Sequence, residues 1–436
     1  MKKKMLIMVL ALFVLCAGQI LAEEEGGFRV FGVLHTGLSV QFTDKVDDGP
    51  FIYAGSAEKS DLVYLLLKAS YANTRNTFGV DTGAIIKGDG IGTSMTDQDF
   101  NINMSLKIDN TFGWLRLFDG LLTIYGGGGD WEYNDPFTTP GPVDSNLSLS
   151  GFGTMFLFEP LRATAGHDLK LGLSAWVKEG HTTLINEAKY IFSAEYILNE
   201  NLRMVGGFAY RQYGPKFYAD EDAQSYDEQK AGDHRVNFGI NYTGLSHLGF
   251  SKMAYDMEVR DLGGGRNSIR NWTDPYDYQR MINGDFSTVY PIYLGKSITW
   301  GTGPFTVMGS AMHLFRLGDD HRDYAPSLTL MLDTSYRLNN FIMPKLGMVY
   351  VRNSPAFGEV ASDLRWNEGL NNTECEKDTG GLQVRAGVEF RVEGGLTRNV
   401  IEFGYSLKKD TSSGIVATDR NSTLDHGLYL SMSIHF

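Results

Sequence analysis

The chain has 436 residues, 42% apolar and 12% aromatic, with 51 glycines, 12 prolines and a formal net charge of −13. This length fits one large unit or two to three ordinary globular domains. The mean hydropathy is below zero, which excludes a bundle of apolar membrane helices but not a wall in which every second residue meets lipid. The acidic balance argues against nucleic-acid binding, because phosphate contacts need a basic surface.

The first residues read as a secretion leader over 1–22. Lys2, Lys3 and Lys4 are its charged region, Met5 to Leu15 its apolar run, and small and polar residues follow to Ala22, after which cleavage is expected. The apolar run is shorter than the ~20 residues of a spanning helix. Cys16 raises the alternative of a lipid-anchored protein, but Leu15 stands before it, where a small residue is usual. Cleavage removes three lysines and no acid, taking the charge from −13 to −16 and leaving Cys375 as the one cysteine. Residues 23–436 therefore have no internal disulfide. A long, closed backbone hydrogen-bond ladder is the alternative source of stability.

Apolar and polar residues alternate with period two along this unit. Phe100, Ile102, Met104, Leu106 and Ile108 alternate with Asn101, Asn103, Ser105 and Lys107. The same pattern runs through Ala188, Tyr190, Phe192, Ala194, Tyr196 and Leu198, and through Val236, Phe238, Ile240 and Tyr242. Leu382, Val384, Ala386, Val388, Phe390 and Val392 face away from Gln383, Arg385, Glu389, Arg391 and Glu393. In the final strand Leu428, Leu430, Met432, Ile434 and Phe436 alternate with Tyr429, Ser431, Ser433 and His435. The pattern predicts about eighteen strands, with sixteen as the alternative: 28–42, 62–71, 77–86, 99–118, 121–128, 150–158, 167–178, 187–198, 202–213, 233–243, 248–260, 286–300, 305–317, 326–338, 345–352, 381–393, 397–408 and 425–436. The strand 99–118 is read as one, its even positions in phase from Phe100 through Phe112, Trp114 and Phe118. Between Phe250 and Met253 the phase slips, which predicts a bulge.

Every second connection is short: 72–76, 119–120, 159–166, 199–201, 244–247, 301–304, 339–344 and 394–396. The others, at 43–61, 87–98, 129–149, 179–186, 214–232, 261–285, 318–325, 353–380 and 409–424, are mostly long, polar and rich in Gly, Asp and Asn. An even strand count with short turns on one rim and long loops on the other predicts an all-β fold, a single antiparallel up-and-down transmembrane barrel. Its turns would face the periplasm and its loops the exterior. The first strand begins so early, at Phe28, that no plug is expected ahead of it.

The leader, the loop alternation and the terminal segment Gly427 to Phe436 together resemble bacterial outer-membrane porins. The stretch Trp114 to Ile124, a strand, an Asp-Gly turn and a strand, is similar to hairpins of spirochaetal porin-like proteins. Eighteen strands resemble the substrate-selective porins more than the sixteen-strand general ones. The resemblance implies residence in the outer membrane of a Gram-negative-type envelope, contact with its lipid, and a channel for passive diffusion of small polar solutes or ions. It also implies an assembly signal, Leu428, Leu430, Met432, Ile434 and Phe436, read by the barrel-assembly machinery, and leaves a homotrimer open.

The lumen would then be the functional site. By phase its lining candidates are Lys107, Lys170, Trp176, Lys189, Glu195, Arg203, Arg211, Arg235, Asp333, Arg337, Arg385, Glu389, Arg391, Glu393, Glu402 and Lys408. Opposed charges across a pore order water and sort solutes by charge and dipole. The plainer reading is that any wet wall needs polar residues paired across strands. Other chemistry finds little footing. Gly126 to Gly129 are followed by no Gly-Lys-Ser/Thr and do not make a phosphate cradle. The acidic groups Asp44, Asp47 and Asp48, then Asp220, Glu221, Asp222, Asp227 and Glu228, then Asp319, Asp320 and Asp323 lack the spacing of a calcium loop. The nine histidines sit in no nucleophile motif, so no enzyme, metal or cofactor is expected. Three alternatives remain: a surface adhesin or ligand-binding barrel acting through its loops, a hydrophobic-solute transporter, and a soluble all-β protein whose apolar face is a core.

Overall fold

The computed structural model describes residues 27–43, 51–54, 63–90, 93–94, 102–130, 137, 150–161, 167–177, 188–211, 233–259, 289–318, 326–353, 380–394, 397–410 and 424–435. The expected leader and its cleavage after Ala22, both cysteines, Phe436 and the three acidic groups lie outside them. The described chain forms strands β1 (Gly27–Thr43), β2 (Phe51–Ala54), β3 (Val63–Ala72), β4 (Phe78–Gly90), β5 (Thr93–Ser94), β6 (Ile102–Leu117), β7 (Leu122–Asp130), β8 (Ser150–Phe158), β9 (Asp168–Val177) and β10 (Lys189–Asn199). They are followed by β11 (Leu202–Arg211), β12 (Asp233–Tyr242), β13 (Phe250–Val259), β14 (Val289–Thr302), β15 (Phe305–Gly318), β16 (Ser327–Tyr336), β17 (Ile342–Arg352), β18 (Gly380–Gly394), β19 (Thr397–Asp410) and β20 (Leu424–His435).

Eighteen of these strands close into one antiparallel up-and-down barrel. The closing seam joins β1 to β20, with Val33 opposite His435 and Thr43 opposite Asp425. Closure gives each of the eighteen strands a hydrogen-bonded neighbour on either side. The short β2 and β5 lie outside the ring of eighteen. β2 extends the sheet along Leu38 to Gln41, beyond the reach of β3, and pairs in turn with β5. On one rim the joins run from two residues, at 200–201 and 303–304, to nine at 159–167. On the other rim they include 131–149, 212–232 and 260–288. The short-turn and long-loop rims therefore fall as the spacing predicted.

The tight turns are built by local chemistry. Asn73 closes the β3–β4 turn, its Oδ1 accepting from the backbone of Thr77 at 2.7 Å and of Phe78 at 3.1 Å. Phe118, Asp119 and Gly120 all take positive φ in the β6–β7 turn, which folds the Asp-Gly hairpin read from the sequence.

Side-chain distribution is inverted relative to a water-soluble protein. Leu346, Phe192 and Leu430 stand 54%, 52% and 47% exposed on the outer face, while Glu258 and Glu389 on the inner face are 1% and 2% exposed. A soluble sandwich would bury the former and expose the latter. An apolar exterior around a charged interior is what a barrel wall needs against lipid. Lys296 interrupts this outer face on β14, opposite Tyr255 of β13. The four described members of the terminal pattern, Leu428, Leu430, Met432 and Ile434, all point outward. Replacing Leu430 by Arg is expected to cost about 2–4 kcal/mol in a lipid-reconstituted barrel. Ser431→Lys, one residue on and opposite Glu402, should cost far less. Urea unfolding of both variants in vesicles checks this, and equal costs would mean that the outer face does not meet lipid.

Besides a register shift between Ile197 and Asn199 at the end of β10, two bulges bear on the expected alternation. At β13, Phe250 faces Trp300 but Lys252 faces Thr299, which places the slip read at Phe250 to Met253. The second corrects the reading of 99–118. β6 is one strand, but Gly83 faces Asn110 while Ala84 faces Ile108, so Asp109 is an extra residue. Ahead of it Leu106 points outward, and beyond it Phe112 points inward and is buried. The even positions do not share a face. Both stretches are apolar at even positions because the inner wall is itself apolar where Phe112 reaches it.

Candidate functional site

The inner wall carries two kinds of chemistry. On β17, β18 and β19 the register sets Lys345 opposite Gly387, and Glu389 directly opposite Glu402. Two carboxylates facing each other would repel. The ammonium of Lys345 lies between them, bridging to Glu389 and, at 3.1 Å, to Glu402. Arg391 Nε meets the other oxygen of Glu389 at 2.5 Å. Arg385 stands 3.8 Å from Glu402 and 3.9 Å from Asp333 of β16. From β20, the Tyr429 hydroxyl donates to Glu402 at 2.7 Å.

Tyr429 lies along the wall because Gly404 is its direct cross-strand partner and Gly387 comes next. A Cβ at Gly404 would collide with the phenol, and one at Gly387 would come within 2.8 Å of its hydroxyl. The missing side chains let the ring reach Glu402. Near this network Lys408 is buried on the inner face, and Gln383 donates to Ser406 at 3.0 Å.

A second ionic group sits on β9, β10 and β11. Glu195, buried, takes Lys170 at 2.7 Å on one oxygen and Arg203 at 2.5 Å on the other. Between these groups the inner face holds buried Asn237, Asp256 and Glu258 on β12 and β13. Each of the carboxylates Glu195, Glu389 and Glu402 has a cationic partner. Charges held and paired in this way on an inner wall can order water and ions that reach them.

The other chemistry is apolar. Phe112, Met155, Leu157, Trp176, Ile191, Val205 and Ala209 form one buried cluster on the inner face from β6 to β11. Phe112 and Trp176 meet edge-to-face at 5.8 Å. Phe137, from the 131–149 connection between β7 and β8, is buried in this cluster. A Cβ at Gly172 on β9 would come within 2.6 Å of its ring. Phe137 is thus anchored against the inner wall in a gap that only glycine leaves.

Of the residues expected to line the lumen, Lys170, Glu195 and Arg203 come together, as do Asp333, Arg385, Glu389, Arg391 and Glu402. Lys107 lies on the face opposite Leu106, Arg235 lies on the inner face of β12, and Lys189 and Lys408 are buried. Trp176 points inward but belongs to the apolar cluster. Arg337 corrects the reading. β16 ends at Tyr336, and Arg337 lies exposed in the turn, its backbone N–H donating to Pro304 at 2.8 Å. It sits at the rim instead of on the wall. The side chains of Arg211 and Glu393 lie outside the described residues.

Lys345, Tyr429 and Phe137 were missed. Lys345 is the first residue of the expected strand 345–352 and follows Pro344, which cannot donate to a ladder. β17 nevertheless begins at Ile342 and carries Pro344 opposite Val388. Among the described residues no group of three or more His, Cys, Asp or Glu is placed to hold a metal ion.

Among solved structures the barrel is similar to OccK7 (OpdD) of Pseudomonas aeruginosa, at 9% identity over 94% of this chain and 98% of that one, with a TM-score of 0.48. It is similar to OccK1 (OpdK) of the same organism at 12% identity, over 94% and 98% of the two chains, with a TM-score of 0.48. OmpT of Vibrio cholerae shares 11% identity over 95% of this chain and 100% of that one, with a TM-score of 0.39. No family model matches the chain, and no curated relative matches it.

Proposed function

We propose that this protein is an outer-membrane channel through which small polar solutes and ions diffuse passively. The observation that carries the reading is the pairing of an apolar outer face with fixed, partnered charges on the inner one. Lipid on the outside and water on the inside satisfy both faces. The reading includes cleavage of the leader after Ala22, turns toward the periplasm, loops toward the exterior, and no catalytic role for the wall. The outward apolar residues of β20 together with Phe436 serve as the signal to the barrel-assembly machinery, and the homotrimer remains part of the reading.

The test is single-channel recording of the refolded 23–436 chain in a planar bilayer, alongside heat-modifiable gel migration. Discrete steps of stable size are expected. Heat-modifiable protein without steps would refute the channel while retaining the barrel.

A further inference from the structure

Inside the barrel, at its short-turn end, lies a cavity of about 650 Å³. Its lining includes Gly27 and Arg29 of β1, Arg75 of the β3–β4 turn, Asp81 of β4, and Trp114 and Arg116 of β6. Among the described residues Asp81 is the one carboxylate lining it, against three guanidinium groups. Asp81 is already engaged, since it accepts a hydrogen bond from Trp114 and faces Lys68. Arg116 lies over the Trp114 ring, 4.8 Å from its centroid, which holds that guanidinium in place. Arg29 and Arg75 are exposed to the cavity. The recess is therefore positive and open, with planar groups suited to gripping carboxylates two oxygens at a time.

The sequence carries carboxylates a few residues ahead of that recess. Glu23, Glu24 and Glu25 are followed by Gly26 and then Gly27, which itself lines the recess. An extended chain advances at most ~3.6 Å per residue, which keeps Glu25 within about 7 Å and Glu23 within about 14 Å of Gly27. Gly27 has φ +146°, and a Cβ there would meet nothing within 4 Å. Backbone of this kind suits glycine and leaves space for the chain to turn toward the cavity. A tether this short gives an effective carboxylate concentration of millimolar order or above, enough to compete with a free anion at ordinary levels.

We propose that the Arg29, Arg75 and Arg116 recess is the docking site of the chain's own Glu23–Glu24–Glu25 segment. Docking offsets the positive charge of the short-turn mouth and ties the segment ahead of β1 to the short-turn ends of β1, β3 and β6. Its consequence for ion selection rests on the channel reading above, whereas the docking itself does not.

The test uses the 23–436 chain with Cys375→Ser, carrying Glu24→Cys and Thr74→Cys, the latter on the lining of the recess. Disulfide formation is followed in the folded barrel at 0.1 M and 1 M salt. Nearness along the chain alone gives some rate, so the decisive comparison adds Arg29→Gln, Arg75→Gln and Arg116→Gln, with the fold checked by heat-modifiable migration. The rate is expected to fall at least threefold on removing the arginines, and to fall in 1 M salt, where charges are screened beyond ~3 Å. An unchanged rate overturns the proposal. A second arm measures thiol labelling of Thr74→Cys alone with added inorganic phosphate. Strong protection in Glu23→Gln, Glu24→Gln, Glu25→Gln and little with the native glutamates is expected. Equal protection in both would make the recess a site for free anions and overturn it. In the third arm the triple Gln variant shifts the bilayer reversal potential toward anions. An absence of conductance in every variant, with arginine-dependent crosslinking retained, would sink the channel reading and leave the docking standing.

Discussion

Replacing Lys345 by methionine is expected to destabilise the folded barrel by about 3 kcal/mol, the lower part of the range for breaking a buried ion pair. The ammonium stands between Glu389 and Glu402, which face each other across β18 and β19. Without it the two carboxylates repel, and Glu389 is 2% exposed, so water reaches it poorly. Arg391 and Arg385 remain, but each reaches one of the pair. Adding Glu402→Gln to the methionine variant removes the repulsion and should restore part of the loss, giving a coupling on the order of 1–2 kcal/mol. Urea unfolding of the reconstituted barrel measures all three proteins. A loss below about 0.5 kcal/mol, the size of an exposed surface pair, would show that the lumen screens this group as bulk water does.

The second large effect concerns Phe137. Truncation to alanine should remove about 3 kcal/mol of packing against Phe112, Trp176 and their neighbours. At 1.4 kcal/mol per decade this lowers the ratio of anchored to open forms by roughly a hundredfold. Gly172→Leu is expected to act in the same direction from the wall side, because the new side chain takes the space of the Phe137 ring. Protease cleavage between 131 and 149 in the folded barrel tracks the population of the open form when opening is fast. Both variants should be nicked about a hundred times faster than the native chain, with heat-modifiable migration retained. Native nicking rates in both would mean that the ring does not hold this connection to the wall. Single-channel conductance should rise in the same variants, since the ring no longer stands in the lumen.

The alternation of Leu428 to Ile434, the short joins at 200–201 and 303–304, and the Asp-Gly turn at 119–120 were legible along the chain. Each depends on neighbours a few residues apart: pleat parity and turn dihedrals are local properties. From them follow the all-β class, the strand count and the identity of the outward face. The slip at Phe250 was visible because lipid-facing and lumen-facing residues there differ in polarity. The slip at Asp109 was not, since apolar residues occupy both walls, and parity carries no signal when the two faces look alike.

The groupings within the lumen depended on the tertiary structure. Glu389 and Glu402 meet because β18 and β19 pair in one register, and Lys345 joins them only if β17 starts at Ile342 despite Pro344. A slip of one residue on any of these strands would turn its charged side chain to the outer face. Tyr429 reaches Glu402 because Gly404 and Gly387 happen to lie side by side. Phe137 finds Gly172 through a connection with no period to read. Sequence alone determined the alternating chain that can close into a barrel and the composition of its two faces. The closed register decided which charges became partners and where the apolar sector formed, because contacts between residues distant in the chain are set by strand pairing and not by local pattern.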